Sequence, residues 1–309
     1  MKTKWRILTS ALVFCVAVIA CENNDQDLTM EDEILKKANN GMIKSFGNEM
    51  VLKWNQALSM AVDQKMPIAM EARIYAMFSL AVHDALNHVV PEHEPYLLDN
   101  SSLDYKDISK KNISLAADAA VAQSAHDILV PLVPAATANA TVLLSESLAA
   151  IEDSELKERG ISAGKAAAQA ILVDRQGDPV LRFYAYPQGT QPGEYRSTMP
   201  YAVANPPVWP ANAAYAPNMG TFRPFGMTSA DQFRAKPPYA LPSPEYAADY
   251  DEVKRLGSST STERTPEQTE LAIFYLDNMA NSANRIAWFL AEQEKLDGWE
   301  TAKLLASPI

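Results

Sequence analysis

Residues 67–87 read PIAMEARIYAMFSLAVHDALN, and the apolar positions in this stretch return at the spacing of a helix. Ile74, Met77, Phe78, Ala81, Val82 and Ala85 fall on one stripe, downstream of a proline, Pro67, suited to a first helical turn. The same period holds from about Met50 to Val173, where Ala is frequent and Gly and Pro are scarce inside the runs. Upstream, Trp54, Leu58 and Val62 form another stripe. Downstream, Ala116, Ala119, Ala120, Gln123 and Asp127 carry the pattern to Pro131 and Pro134, which are expected to stop it. Further helices are expected over Val142 to Ile151 and Glu155 to Val173. In the last of these Gly160, Gly164 and Ala168 lie four apart, so their missing side chains should let a neighbouring helix come close. The fold class is therefore all-α, a helical bundle.

The composition changes between Pro179 and Pro244, which hold 13 of the 20 prolines. Each proline removes a backbone donor and clashes with the preceding turn, so a long irregular segment is expected there. Its aromatic residues, among them Tyr195, Trp209, Phe225 and Tyr239, are expected to pin it around the helices as a belt. Helix should resume over Glu245 to Leu256, closed by Gly257. Thr265-Pro266-Glu267-Gln268 then combines a Thr cap, a proline at the first helical position and a Gln three residues past the cap. Leu271, Phe274, Tyr275, Asn278, Met279, Ser282, Ile286 and Phe289 follow on a single face, and a final amphipathic stretch runs from Trp299 to Leu305.

Charge and cysteine usage narrow the function. The 309 residues carry 27 Lys and Arg against 38 Asp and Glu, a formal net charge of -11. That balance argues against a nucleic-acid partner, which would draw on surplus cations. Both cysteines, Cys15 and Cys21, lie at the N-terminus, so neither a disulfide framework nor a Cys-ligated zinc site is available to the rest of the chain. Lys2, Lys4 and Arg6 precede an uncharged, mostly apolar run from Ile7 to Ala20, the layout of an export signal. Val18-Ile19-Ala20-Cys21 resembles a bacterial lipobox. Cys21 is thus the expected lipidation site, followed by a polar tether over residues 21–48 and a helical domain over 49–309. The protein is expected in the cell envelope, on the periplasmic or outer-membrane side of a bacterium, with the membrane as its partner through the anchor.

The residues alone do not announce an active site. His83 and His88 are five apart and so do not share a helical face as a metal pair would. Glu92-His93-Glu94 follows Pro91 in an expected turn and reads as a solvated polar cluster. His126 and Asp127 are sequence neighbours, expected on different helix faces, which argues against a dyad. Gly160-Ile-Ser-Ala-Gly164-Lys165-Ala166 is superficially similar to a phosphate loop. Its spacing is one residue short, however, and Ala166 stands where Ser or Thr is required. No residue is assigned a catalytic, cofactor-binding or metal-ligating role.

Several short stretches, taken in order, carry a resemblance. They are Trp54-Asn55-Gln56-Ala57-Leu58, Ala72-Arg73, Ala81-Val82-His83-Asp84-Ala85-Leu86-Asn87, Gly160 and Gly164, and Ala167-Ala168-Gln169-Ala170-Ile171-Leu172. Arg175-Gln176-Gly177-Asp178, Pro192-Gly193-Glu194-Tyr195-Arg196, the Trp209 segment and Pro224-Phe225-Gly226-Met227 continue the series. The series closes with Ser229 to Arg234, Pro237-Pro238, Ser243-Pro244-Glu245-Tyr246, Glu252-Val253-Lys254 and Arg264 to Glu270. This order resembles the N-terminal half of the bacterial vanadium-dependent haloperoxidases, in the type 2 phosphatidic acid phosphatase superfamily. The resemblance implies an activity, halide oxidation by peroxide or phosphate-ester hydrolysis, that depends on an oxyanion cage. In the family that cage is built from a KxxxxxxRP pattern, a PSGH turn and an SRxxxxxHxxxD segment, and vanadate is the cofactor. None of the three is present here. The only Arg-Pro pair is Arg223-Pro224, with Ala216 where the lysine would stand, and no histidine follows His126. Two expectations follow. The chain is the scaffold portion of such a protein, its partner being the missing catalytic half or a second copy, and then a large apolar patch should be exposed on its helices. Alternatively it is a complete, noncatalytic helical lipoprotein that binds through its aromatic belt.

Overall fold

A computed structural model describes residues 46–307, apart from 64, 102, 104, 105, 107, 110 and 198–209. The signal-like residues 1–20, Cys21, the tether up to residue 45, and Trp209 lie outside the described residues. Those that are described fall within one compact unit spanning residues 41–309.

Nine α-helices, two single 3-10 turns (Pro134–Ala136 and Met219–Thr221) and one two-stranded sheet make up the regular structure of the described residues, which are an all-α helical bundle. The helices are α1 Glu49–Val62, α2 Ile68–Val89, α3 Ile113–Leu132, α4 Thr137–Ala149 and α5 Glu155–Asp174, then α6 Pro244–Gly257, α7 Pro266–Phe274, α8 Met279–Gln293 and α9 Gly298–Ala306. None of them is long and apolar enough to cross a membrane.

The centre is α2, α3 and α5 packed together, with α1 and α9 closing one side. The stripes read from sequence go inward: Trp54, Leu58 and Val62 of α1 are fully buried, as are Ala81 and Ala85 of α2. The small residues of α5 meet α3 backbone to backbone. A methyl added at Gly160 would lie 2.1 Å from the Ala116 carbonyl oxygen, and one at Gly164 would lie 2.6 Å from that of Ala120. Only hydrogen fits at either position, and this sets the distance between the two helices.

Helix ends follow local chemistry, with some departures from expectation. Ser154, Thr265 and Asp297 each accept a backbone N–H from three residues on, and the last two complete capping boxes with Gln268 and Glu300. Pro67 sits just outside α2, as its cap, rather than in the first turn. Pro131 does not stop α3, which runs on to Leu132. The proline forfeits one bond in the last turn, but the Val133 N–H still closes on Leu129 at 2.8 Å. The fourth helix starts at Thr137, five residues before Val142.

The single face expected from Leu271 to Phe289 is interrupted. Tyr275 closes α7, and the Asn278 side chain accepts from Ala280 to start α8. The proline-rich segment is not irregular throughout. Phe183–Ala185 pairs antiparallel with Ala213–Tyr215, and the Phe183 and Tyr215 rings meet edge-on at 5.2 Å. Some of its aromatics are pinned, Phe225 against the core among them, whereas Phe233 and Tyr239 are exposed.

Candidate functional site

Two devices built from α2 position the surfaces around it. The first is the His83–Asn87 stretch. The fully buried Asp84 carboxylate accepts the backbone N–H groups of Tyr96 (2.6 Å) and Leu97 (2.8 Å), and Asn87 Oδ1 accepts those of Glu92 (3.2 Å) and His93 (2.7 Å). The loop after α2 is therefore held by two side chains one helical turn apart. Glu92 and His93 are half-buried, not solvated as expected, and the His93 ring stacks parallel to that of His83 at 6.3 Å. Among the described residues no group of three or more His, Cys, Asp or Glu side chains is placed to hold a metal.

The second device is an ion network joining α2, the end of α5 and the 223–225 segment. Arg175 is at its centre, its side chain 1% exposed. The guanidinium lies 3.6 Å above the Phe225 ring centroid and donates to the carbonyls of Arg223 (2.6 Å) and Pro224 (3.3 Å) and to the Tyr96 hydroxyl (3.3 Å). Asp174 and Asp178 approach it at 3.4 and 3.6 Å. Asp178 also accepts from Arg73 Nε at 3.0 Å, and Asp174 pairs with Arg223. That pairing raises the Arg223 pKa further, mainly through the Asp174 hydrogen bond.

Beside this network lies a cavity of about 630 Å³. Its walls come from α2 (Ala72, Ala76, Leu80), from Phe222 and Phe225, and from Met279 at the start of α8. Arg73 lines it too, with its guanidinium 5.9 Å from the Phe222 centroid. Tyr75 contributes ring surface only, because its hydroxyl donates to Asp63 at 2.6 Å. Burial, and then the Asp63 bond, push that phenol's pKa well above its usual range, so it holds its proton at any working pH. A reciprocal amide pair, Asn55 with Asn284 at 2.9 Å in both directions, ties α8 to α1 at the edge of this cavity.

His126 and Asp127 are together after all: Nδ1 lies 2.7 Å from Oδ1, and Nε2 lies 3.4 Å from the Thr141 hydroxyl. Consecutive helical positions diverge at Cβ, but these two side chains are long enough to lean back toward each other. Gln123 fixes the second Asp127 oxygen at 2.8 Å. The arrangement does not amount to an acyl-transfer site. Thr141 lies past the first turn of α4, where surrounding N–H groups are spent on the helix and none is free to bind an oxyanion.

In the sequence Arg73, Arg175 and Asp178 carry no assigned role, and nothing there marks Tyr96. Arg175 and Asp178 carried a local signal, a cation and an anion three apart just past a helix end. The partners of Arg73 and Tyr96 are too distant in sequence to leave one.

Fold and site together define a helical-bundle protein with an apolar cavity that Arg73 lines beside a buried ion network. No protein-family model, curated protein or solved structure matches the chain.

Proposed function

We propose that this chain is the N-terminal, scaffold portion of an exported vanadium-dependent haloperoxidase-like protein of the acid phosphatase superfamily, and that these 309 residues lack the motifs that form its vanadate- or phosphate-binding cage. The observation that carries the proposal is the surface of α7 and α8. Leu271 and Phe274 of α7, Leu276 in the turn after it, and Ile286 and Phe289 of α8 are each more than half exposed, an apolar area a lone helical domain would ordinarily bury. The order of family-like segments supports it, since Asn55, Arg73, Asp84, Asn87, Gly160, Gly164 and Arg175 occupy structural positions here. In this reading the outward face packs against the segment carrying the PSGH-type cage.

The residues present do not fit a vanadate cage. A compact oxyanion needs several cationic donors converging on one small space, with a histidine to bond the metal. Arg73, Arg175 and Arg223 instead converge on the carboxylates of Asp174 and Asp178, and no histidine lines the cavity beside them. The halide-oxidising or phosphatase activity of the family therefore belongs, in this proposal, to the complete protein. Lipidation of Cys21 and a place in the cell envelope are part of the same proposal, resting on the Val18-Ile19-Ala20-Cys21 signal.

Calorimetric titration of the purified chain with vanadate tests it. No specific uptake is expected, whereas stoichiometric uptake abolished by substituting Arg73 or Arg223 would contradict it. Reading the coding DNA past Ile309 is the cheaper companion. A PSGH-like stretch in some frame is expected, and continuous noncoding sequence without one counts against the scaffold reading.

A further inference from the structure

We infer that the cavity between α2, the 219–226 segment and the start of α8 binds a single-chain amphiphile with an anionic head, its tail along the apolar wall and its head on Arg73. The inference does not depend on the haloperoxidase-like reading.

Shape and lining argue for the tail. At about 630 Å³ the space falls within the usual range for small-molecule sites, roughly 300 to 1,000 Å³. The wall is almost wholly carbon: Ala72, Ala76 and Leu80 on one side, Phe222, Phe225 and Met279 on the other. The alanines matter, because larger residues at their positions would fill the space. An entrance exists, since Ile68, Met219 and Met279 at its margin are 58%, 45% and 54% exposed.

Charge argues for the head. The network beside the cavity contains three guanidiniums, Arg73, Arg175 and Arg223, and two carboxylates, Asp174 and Asp178. It carries a surplus positive charge in a protein whose net charge is -11. Arg175 is enclosed and Arg223 points to the Asp174 side, so the surplus faces the cavity through Arg73. The Nε of Arg73 is committed to Asp178 and its Nη2 lies 3.5 Å from the Arg175 carbonyl, while Nη1 has no protein partner among the described residues. A carboxylate or phosphate monoester can meet that edge with a charge-assisted hydrogen bond. A neutral head gains less there, and a cationic head is repelled.

The test is calorimetry on the full chain with decanoate, dodecanoate, dodecyl phosphate, dodecanol and dodecyltrimethylammonium, each below its micelle concentration. One-to-one binding of the two anionic dodecyl compounds is expected, at least tenfold tighter than the alcohol and with the ammonium weakest. The better of the two anions identifies the head as carboxylate or phosphate. Shortening the tail from twelve to ten carbons should weaken binding roughly fifteenfold, from about 0.8 kcal/mol per buried CH2. Arg73→Gln should erase the head preference and leave the tail dependence intact, while Arg73→Lys retains the preference should Arg73→Gln unfold the protein. Ala76→Trp should abolish binding. Affinity independent of head charge, affinity independent of tail length, or multiple binding unchanged in a folded Ala76→Trp variant would each overturn the inference. The last of these would place the compounds on the exposed face of α7 and α8 instead.

Discussion

Residues 49–174 and residues 244–293 are both helical and both carry apolar stripes, yet they treat those stripes in opposite ways. In α1, α2 and α3 most large apolar residues face inward, with Trp54, Leu58 and Ile128 wholly buried and Met60 and Ile68 the exposed exceptions. In α8 the inward face is Asn281, Asn284, Ala287 and Ala291, and the large residues Ile286 and Phe289 point out. Neither α6 nor α7 buries a single residue. Amphipathicity thus names a helix face without saying which way it turns. In the second region the inward choice is fixed by the Asn55–Asn284 pair, which sets small and polar groups against the bundle.

The largest expected effect is at Arg175, which ties the end of the well-packed region to the 223–225 segment. Arg175→Met keeps the bulk but leaves Asp174 and Asp178 short of a partner. Removing one member of a buried ion pair typically costs about 3–5 kcal/mol, so urea unfolding should show a loss of that order. Next is Gly160→Ala, which places a methyl 2.1 Å from the backbone oxygen of Ala116. No flexible side-chain end can yield there. Forced separation of α3 from α5 should cost about 2–3 kcal/mol, seen as a lower thermal midpoint by circular dichroism.

A smaller effect, of opposite sign, is expected inside the well-packed region. Burial, and then the nearby Glu49 carboxylate, push the Asp118 carboxyl up to about 6. The folded state then holds that proton more tightly than the unfolded chain does. Charging Asp118 therefore penalises the fold as pH rises toward and past 6, and the penalty vanishes below about pH 4, where both states are protonated. Asp118→Asn should stabilise the protein by about 1–2 kcal/mol at pH 8 and have no effect near pH 3.5. Urea titrations at the two pH values check the sign.

What could be read in the sequence divides along similar lines. Local signals were sufficient for the helical bundle. The Trp54–Leu58–Val62 stripe, the Gly160–Gly164 spacing and the Thr265 capping box each depend on neighbours within a few residues. The break at Tyr275–Asn278 was also local, an Asn cap preceded by Asp277, but the apolar period ran through it and hid it. The pairing of Phe183–Ala185 with Ala213–Tyr215 spans about thirty residues and leaves no periodic trace in three-residue strands. The site was least legible. Arg73, Arg175 and Arg223 come from separate parts of the chain, and only the folded structure shows them sharing two aspartates.

The central claim is that the outward residues of α7 and α8 do not belong to the core formed by residues 46–307. Replacing Leu271, Phe274, Leu276, Ile286 and Phe289 together with Gln or Ser, and measuring the unfolding free energy in urea, tests it most directly. The account predicts a change within about 1 kcal/mol, because substitutions at exposed sites are each nearly neutral, together with a severalfold fall in binding of an apolar dye. A loss of about 3 kcal/mol or more would mean that these side chains are buried in solution and would contradict the account.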